Sequence, residues 1–186
     1  MKHRTALCIA IAAATISTAS HAENLALEEV IVTAQKRAQS LQDVPVSVSA
    51  LASSDLEGLK LRASTEIAAQ IPNMQMITPY GDGFAMISMR GISMSDLSLN
   101  QSGPIAVYTD EVYKGNPAIQ GVQLFDIERV EVLRGPQGTL YGKNTTGGAV
   151  NYITKSATHE TEGYVNLGLG DYNRQEAQGA FQASLI

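Results

Sequence analysis

From Tyr164 to Leu185 the chain alternates between apolar and polar residues, and this constrains the fold more than any other feature. Val165, Leu167 and Leu169 share one face, with Tyr164, Asn166 and Gly168 on the other. After Gly170-Asp171-Tyr172-Asn173-Arg174, the series Ala177, Gly179, Phe181, Ala183, Leu185 alternates with Glu176, Gln178, Ala180, Gln182, Ser184. Period two belongs to strands, and two such runs around a turn make a hairpin. Runs of about ten residues with this alternation are the pattern of transmembrane β-barrel strands. A half-exposed hairpin in water alternates in the same way. Two strands cannot close a barrel, and an open edge cannot sit in lipid. The barrel reading therefore predicts that these 186 residues are the front part of something longer.

The other end of the chain is an address. Lys2, His3 and Arg4 are followed by an apolar run from Ala6 to Ile16, interrupted by Thr15, and Ser20-His21-Ala22 places small residues at a cleavage site. This pattern predicts a secretory signal peptide over 1–22. The run is shorter than the ~20 apolar residues of a spanning helix. Cleavage after Ala22 removes Cys8, the single cysteine, and leaves a mature chain with neither a disulfide nor a multi-cysteine metal site. It also removes two of the 13 cationic residues and none of the 18 acidic ones, so the formal balance moves from −5 to −7. An acidic chain lacks the basic face that nucleic-acid binding requires.

Between these ends the sequence predicts a small α+β domain. Residues 23–40 read as a flexible segment carrying one β-branched run, Val30-Ile31-Val32-Thr33. Leu41 to Ser49 alternates Val44, Val46 and Val48 with Pro45, Ser47 and Ser49, which predicts a strand restricted by Pro45 to an edge or an end. Ser53 or Ser54 can cap one short helix, and Ser64 a second that ends before Pro72. Short strands are expected at Met74–Ile77, Met86–Met89, Ile105–Tyr108, Val130–Leu133 and Ala149–Thr154. The domain would run over 41–156, with a linker and hairpin over 157–186.

The glycine-rich stretch Arg134 to Gly148 invites a phosphate-loop reading and fails it. Gly138 and Gly142 enclose three residues instead of four, and Asn144 follows Lys143 where Ser or Thr is needed. Tight turns requiring glycine explain it better. No Gly-x-Ser-x-Gly elbow occurs, and His3, His21 and His159 lack metal-ligand spacing. No catalytic cluster, metal site or cofactor site is found, and the reading is of a protein that is not an enzyme.

One resemblance is specific. The stretch LFDIERVEVLRGPQGTLYGKNTTGGAVNYIT, Leu124 to Thr154, resembles the signature of the plug domain of TonB-dependent outer-membrane receptors. LEEVIVTAQKRAQSLQDVPVSVSAL, Leu27 to Leu51, resembles that family's energy-coupling box and first plug strand. Met89-Arg90-Gly91-Ile92 and Val107 to Tyr113 match two further plug segments in order and spacing. The resemblance implies a plug seated in a 22-stranded outer-membrane barrel, of which this chain would carry only the first hairpin. It implies uptake of a scarce nutrient such as a ferric siderophore, driven through the inner-membrane TonB protein. The partners are then TonB, the missing barrel, the small-molecule substrate and the cell outer membrane, with no nucleic acid. The fragment alone would not transport; an orphan plug-like periplasmic binding or regulatory module is the alternative.

Roles follow from the resemblance by position. Glu29, Val30, Ile31, Val32, Thr33 and Ala34 would be the TonB box, a β-prone segment able to add to a partner's sheet edge through main-chain hydrogen bonds. The same residues also read as an N-terminal strand of the plug itself. Arg90 and Arg134, each followed by glycine, match plug arginines that pair with barrel glutamates. Tyr80, Asp82, Phe84, Asp96, Asn100 and Gln101 lie on loops resembling the outward-facing plug apices that touch substrate.

Overall fold

The computed structural model describes residues 29–81, 83–96 and 98–184. The leader expected over 1–22, residues 23–28, Asp82 and Leu185 lie outside them. A five-stranded mixed sheet organises the rest. Its order is β3 (Val48–Ala52), β9 (Ile127–Arg134), β10 (Gly148–Thr154), β7 (Ile105–Thr109) and β8 (Val112–Tyr113), counting strands along the chain. All neighbours run antiparallel except β10 and β7, which are parallel and pair Gly148 with Ile105 through Tyr152 with Thr109. A separate antiparallel sheet joins β4 (Met74–Ile77), β5 (Met86–Met89) and β6 (Ile92–Ser93).

The pleat of the five-stranded sheet divides its residues between two cores. Val130, Val132, Val150, Tyr152, Ile105 and Val107 face one way. They meet Leu56 of α1 (Ser53–Gly58), Ile67 of α2 (Ser64–Ile67), and Met74, Ile87 and Met89 of the smaller sheet. Leu133, Ala149, Ala106 and Tyr108 face the other way. Tyr141 of α3 (Gly138–Tyr141) covers them, together with Val32 and Ala34 from the N-terminal segment.

Within the stretch expected to be flexible over 23–40, the described part from 29 onward carries that last contact and two short strands. Ile31–Val32 form β1 and Gln39–Ser40 form β2, an antiparallel pair with Val32 opposite Gln39. Val32 and Ala34 are fully buried. The alternative reading of these residues as an N-terminal strand of the plug agrees with this packing, whose sheet partners Ala106, Leu133 and Ala149 lie more than 70 positions downstream.

Two local expectations also change. The alternating run from Leu41 becomes a 3-10 turn over Leu41–Asp43, and the strand begins only at Val48, beyond the restricted φ and missing donor of Pro45. The helix caps differ as well. Asp55 accepts from the Ala52 N–H at 3.0 Å, and Glu66 accepts from the Ala63 N–H at 3.1 Å, so first-turn carboxylates cap where serines were expected. Ser64 is buried instead, and its hydroxyl accepts from the Val122 N–H at 3.1 Å.

The terminal hairpin has the expected alternation. β11 (Glu162–Gly170) and β12 (Arg174–Gln182) pair along nine residues each. Val165, Leu167, Leu169 and Phe181 are 74–89% exposed on one face. The other face meets the domain. Glu176 forms an ion pair with Arg62, the Tyr164 hydroxyl donates to Asp126 at 3.4 Å, and Lys155 lies 5.0 Å from the Tyr164 ring centroid. A cleft of about 430 Å3 separates α1 from the hairpin around these contacts.

Candidate functional site

The N-terminal segment is held by a polar clasp set beside the second core. In the apolar strand Val130-Glu131-Val132-Leu133, Glu131 is completely buried. Its Oε1 accepts from the Thr33 N–H at 2.7 Å, from the Thr33 hydroxyl at 3.2 Å and from Arg129 Nε at 2.8 Å. Arg129 also donates to the Thr33 hydroxyl at 3.1 Å, and pairs with Glu128. Arg129 and Glu131 sit two apart on β9 and so share a face. Hydrogen bonds to charged groups contribute about 1.5–3 kcal/mol, and the clasp joins residues 98 apart in sequence.

Tyr141 continues the clasp. Its hydroxyl donates to the Ala34 carbonyl at 2.9 Å and accepts from Asn151 Nδ2 at 2.9 Å, while Tyr108 donates to the Tyr141 carbonyl at 2.5 Å. Burial pushes the pKa of both phenols above the usual tyrosine value, which keeps them neutral donors near pH 7. Lys36 lies 5.0 Å from the Tyr141 ring centroid and 3.8 Å from Glu111. A cavity of about 270 Å3 lies alongside, lined in part by Thr33, Arg129, Tyr141 and Asn151. Glu131 Oε2 and Asn151 Oδ1 are buried with no hydrogen-bond partner among the described residues.

The six residues proposed from sequence as a coupling box are thus partly packed. Glu29 and Ile31 are exposed, Val30 and Thr33 are half-buried, and Val32 and Ala34 are enclosed. Burying one valine contributes about 1.5–3 kcal/mol. Glu131, Arg129, Tyr141 and Asn151 were not singled out for this role from sequence. A lone carboxylate inside an apolar strand was the available signal, because such a group must find a donor.

The two arginines come together at the opposite end of β9. Arg90 and Gly91, with φ of +52° and +80°, form the two-residue turn between β5 and β6, as a type I′ hairpin requires. The turn leaves Arg90 exposed and carries its guanidinium to within 3.5 Å of the position a Cβ would take on Gly135, next to Arg134. Arg134 Nε is buried and without a partner among the described residues. Glu131 faces away from Arg134, as their odd spacing predicts.

The loop residues matched to substrate contact by the resemblance divide. Tyr80 is exposed and stacks edge-on against Phe84, ring centroids 5.3 Å apart. Phe84 itself is buried, so it anchors its loop and does not offer a ring to solvent. Asp96 accepts from Ser98 and from Gln101 Nε2 at 2.9 Å, which ties two of the candidates together, and Asn100 is exposed in the turn between them.

A family model described as the TonB-dependent receptor plug domain matches residues 40–149. The chain belongs to that family. The plug is 32% identical over 141 residues to the pesticin receptor of Yersinia pestis, which covers 75% of this chain and 20% of the relative. It is 28% identical over 153 residues to the vitamin B12 transporter BtuB of Vibrio vulnificus, covering 81% of this chain and 24% of that protein. Among solved structures, the ferric yersiniabactin uptake receptor FyuA from Yersinia pestis matches with a TM-score of 0.68 and 27% identity, over 75% of this chain and 22% of that one. The chain spans between a fifth and a quarter of these relatives' lengths.

Proposed function

We propose that this chain is the N-terminal part of an outer-membrane receptor for a scarce nutrient, with a ferric siderophore as the preferred substrate. The plug closes the barrel, and Glu29–Ala34 couples it to TonB in the inner membrane. The observation that carries this reading is the position of that segment: a β-prone strand at the end of the plug, held by a few specific side-chain contacts outside the main core. Similar proteins named for pesticin, vitamin B12 and ferric yersiniabactin support uptake as the activity, and the ferric yersiniabactin receptor among them supports iron as the cargo. The hairpin supports the barrel: its apolar face is bare and its polar face meets the plug. In this arrangement Arg90 and Arg134 are cations awaiting carboxylates from the barrel wall. Tyr80, Asp96, Asn100 and Gln101 provide polar and aromatic contacts for the substrate.

The test separates binding from uptake in a receptor carrying this segment. Ile31 is the exposed member of β1, so Ile31→Pro removes a backbone donor while sparing the buried Val32 and Ala34. Radiolabelled ferric siderophore should bind as before and fail to enter. Tyr80→Ala should do the reverse, weakening binding first. Normal uptake by Ile31→Pro overturns the coupling assignment.

A further inference from the structure

We infer that Glu131 positions the coupling segment by competing with its partner strand for the Thr33 N–H. The inference rests on the assignment of Glu29–Ala34 to TonB and adds the residue that controls access to it. A strand can be extended only through main-chain groups that are free. Here most of those groups are taken. The Val30 carbonyl accepts from the Leu41 N–H at 2.9 Å, so the even-numbered residues of β1 face β2. Ile31 and Thr33 face the other edge, where a further strand must add. At Thr33 that edge is closed: the N–H donates to Glu131, and the carbonyl accepts from Lys36 N–H at 2.8 Å. The Ala34 carbonyl is held by Tyr141.

A backbone N–H makes one good hydrogen bond, so a partner strand running across Thr33 must displace a buried carboxylate. Glu131 is suited to letting go. All its hydrogen bonds are made through Oε1 to Thr33 and Arg129, while Oε2 is unpartnered. The adjoining cavity of about 270 Å3 is lined by its two partners, Thr33 and Arg129, and leaves room for them to rearrange. Apart from its bonds to Thr33, the carboxylate is tied only to Arg129 on its own strand, so release of the segment leaves the backbone ladders of β9 in place. The fold can therefore outlast the release of the segment.

The experiment uses the mature chain and the periplasmic portion of TonB. Amide hydrogen exchange is measured at Thr33 and, as a fold control, at the fully buried Val150. Glu131→Gln, which keeps the shape and removes the charge, should speed exchange at Thr33 at least tenfold and leave Val150 unchanged. It should also bind TonB about tenfold more tightly, a gain of roughly 1.4 kcal/mol, whereas a merely structural residue would weaken binding or leave it alone. If Glu131→Gln exposes Val150, Glu131→Asp carries the test, because it keeps the charge and withdraws the acceptor from the Thr33 N–H; the same two changes are expected. Unchanged exchange at Thr33 overturns the positioning role. Faster exchange with unchanged or weaker TonB binding overturns the competition. Faster exchange with no TonB binding by either protein instead overturns the coupling assignment on which the competition rests.

Discussion

Gly148 opens β10 at φ +151°, and an added Cβ would lie 2.3 Å from the Leu133 carbonyl oxygen and 2.6 Å from Met89 Sδ. Neither neighbour can withdraw cheaply, since the carbonyl belongs to the paired strand β9 and Met89 is wholly buried. Overpacking of a core and a strained backbone each cost about 1–3 kcal/mol. Gly148→Ala should therefore lower unfolding free energy by about 3 kcal/mol in urea titrations. Gly138, with nothing within 4 Å of its Cβ position, is the control and should accept alanine with little loss. Equal effects at both would contradict the packing account. Within the glycine-rich stretch, Gly135, Gly142 and Gly148 have positive φ, as the tight-turn reading expects, whereas the close approaches at Gly147 and Gly148 depend on tertiary neighbours. The buried clasp was signalled locally only by Glu131 inside its apolar strand, because its partner Thr33 lies 98 residues away.

At the level of elements, turn chemistry made most strands legible. β4 and β5 fall where the apolar runs ended at glycine- and proline-rich breaks, and the terminal hairpin follows its alternation. β3 began later than its valine pattern, because Pro45 and the preceding turn delayed the ladder. β1 was legible as a β-branched run and as one of two alternatives, a coupling segment or a strand of the plug; its docking partners are tertiary and were not legible. The β5–β6 turn carries a further consequence. It delivers Arg90 beside the Arg134-Gly135 corner, where Arg134 Nε is buried and unpartnered among the described residues. Removing an unsatisfied cation costs a fold nothing in hydrogen bonds. Arg90→Ala with Arg134→Ala should leave the denaturation midpoint of the 186-residue chain nearly unchanged. In a receptor with its barrel, the same pair should raise hydrogen exchange across the plug. Equal destabilisation in both settings would assign the arginines to the plug's own fold and remove the lock.

The described residues present three distinct surfaces. The hairpin turns Val165, Leu167, Leu169 and Phe181 outward and its ionic face inward, an arrangement suited to lipid on one side and a plug on the other. The apical loops carry the exposed Tyr80 and Asn100. The N-terminal segment lies across the remaining face of the five-stranded sheet, where it completes the second core without belonging to the first. On the proposed function, this segment is where force enters the plug. Its most direct test is residue-resolved mapping of the mature chain titrated with the periplasmic portion of TonB. The largest amide changes are expected on Glu29–Ala34, with secondary changes at Glu131 and Tyr141 as the clasp opens. Binding that leaves Glu29–Ala34 unperturbed, or changes concentrated on the hairpin or the apical loops, would contradict it.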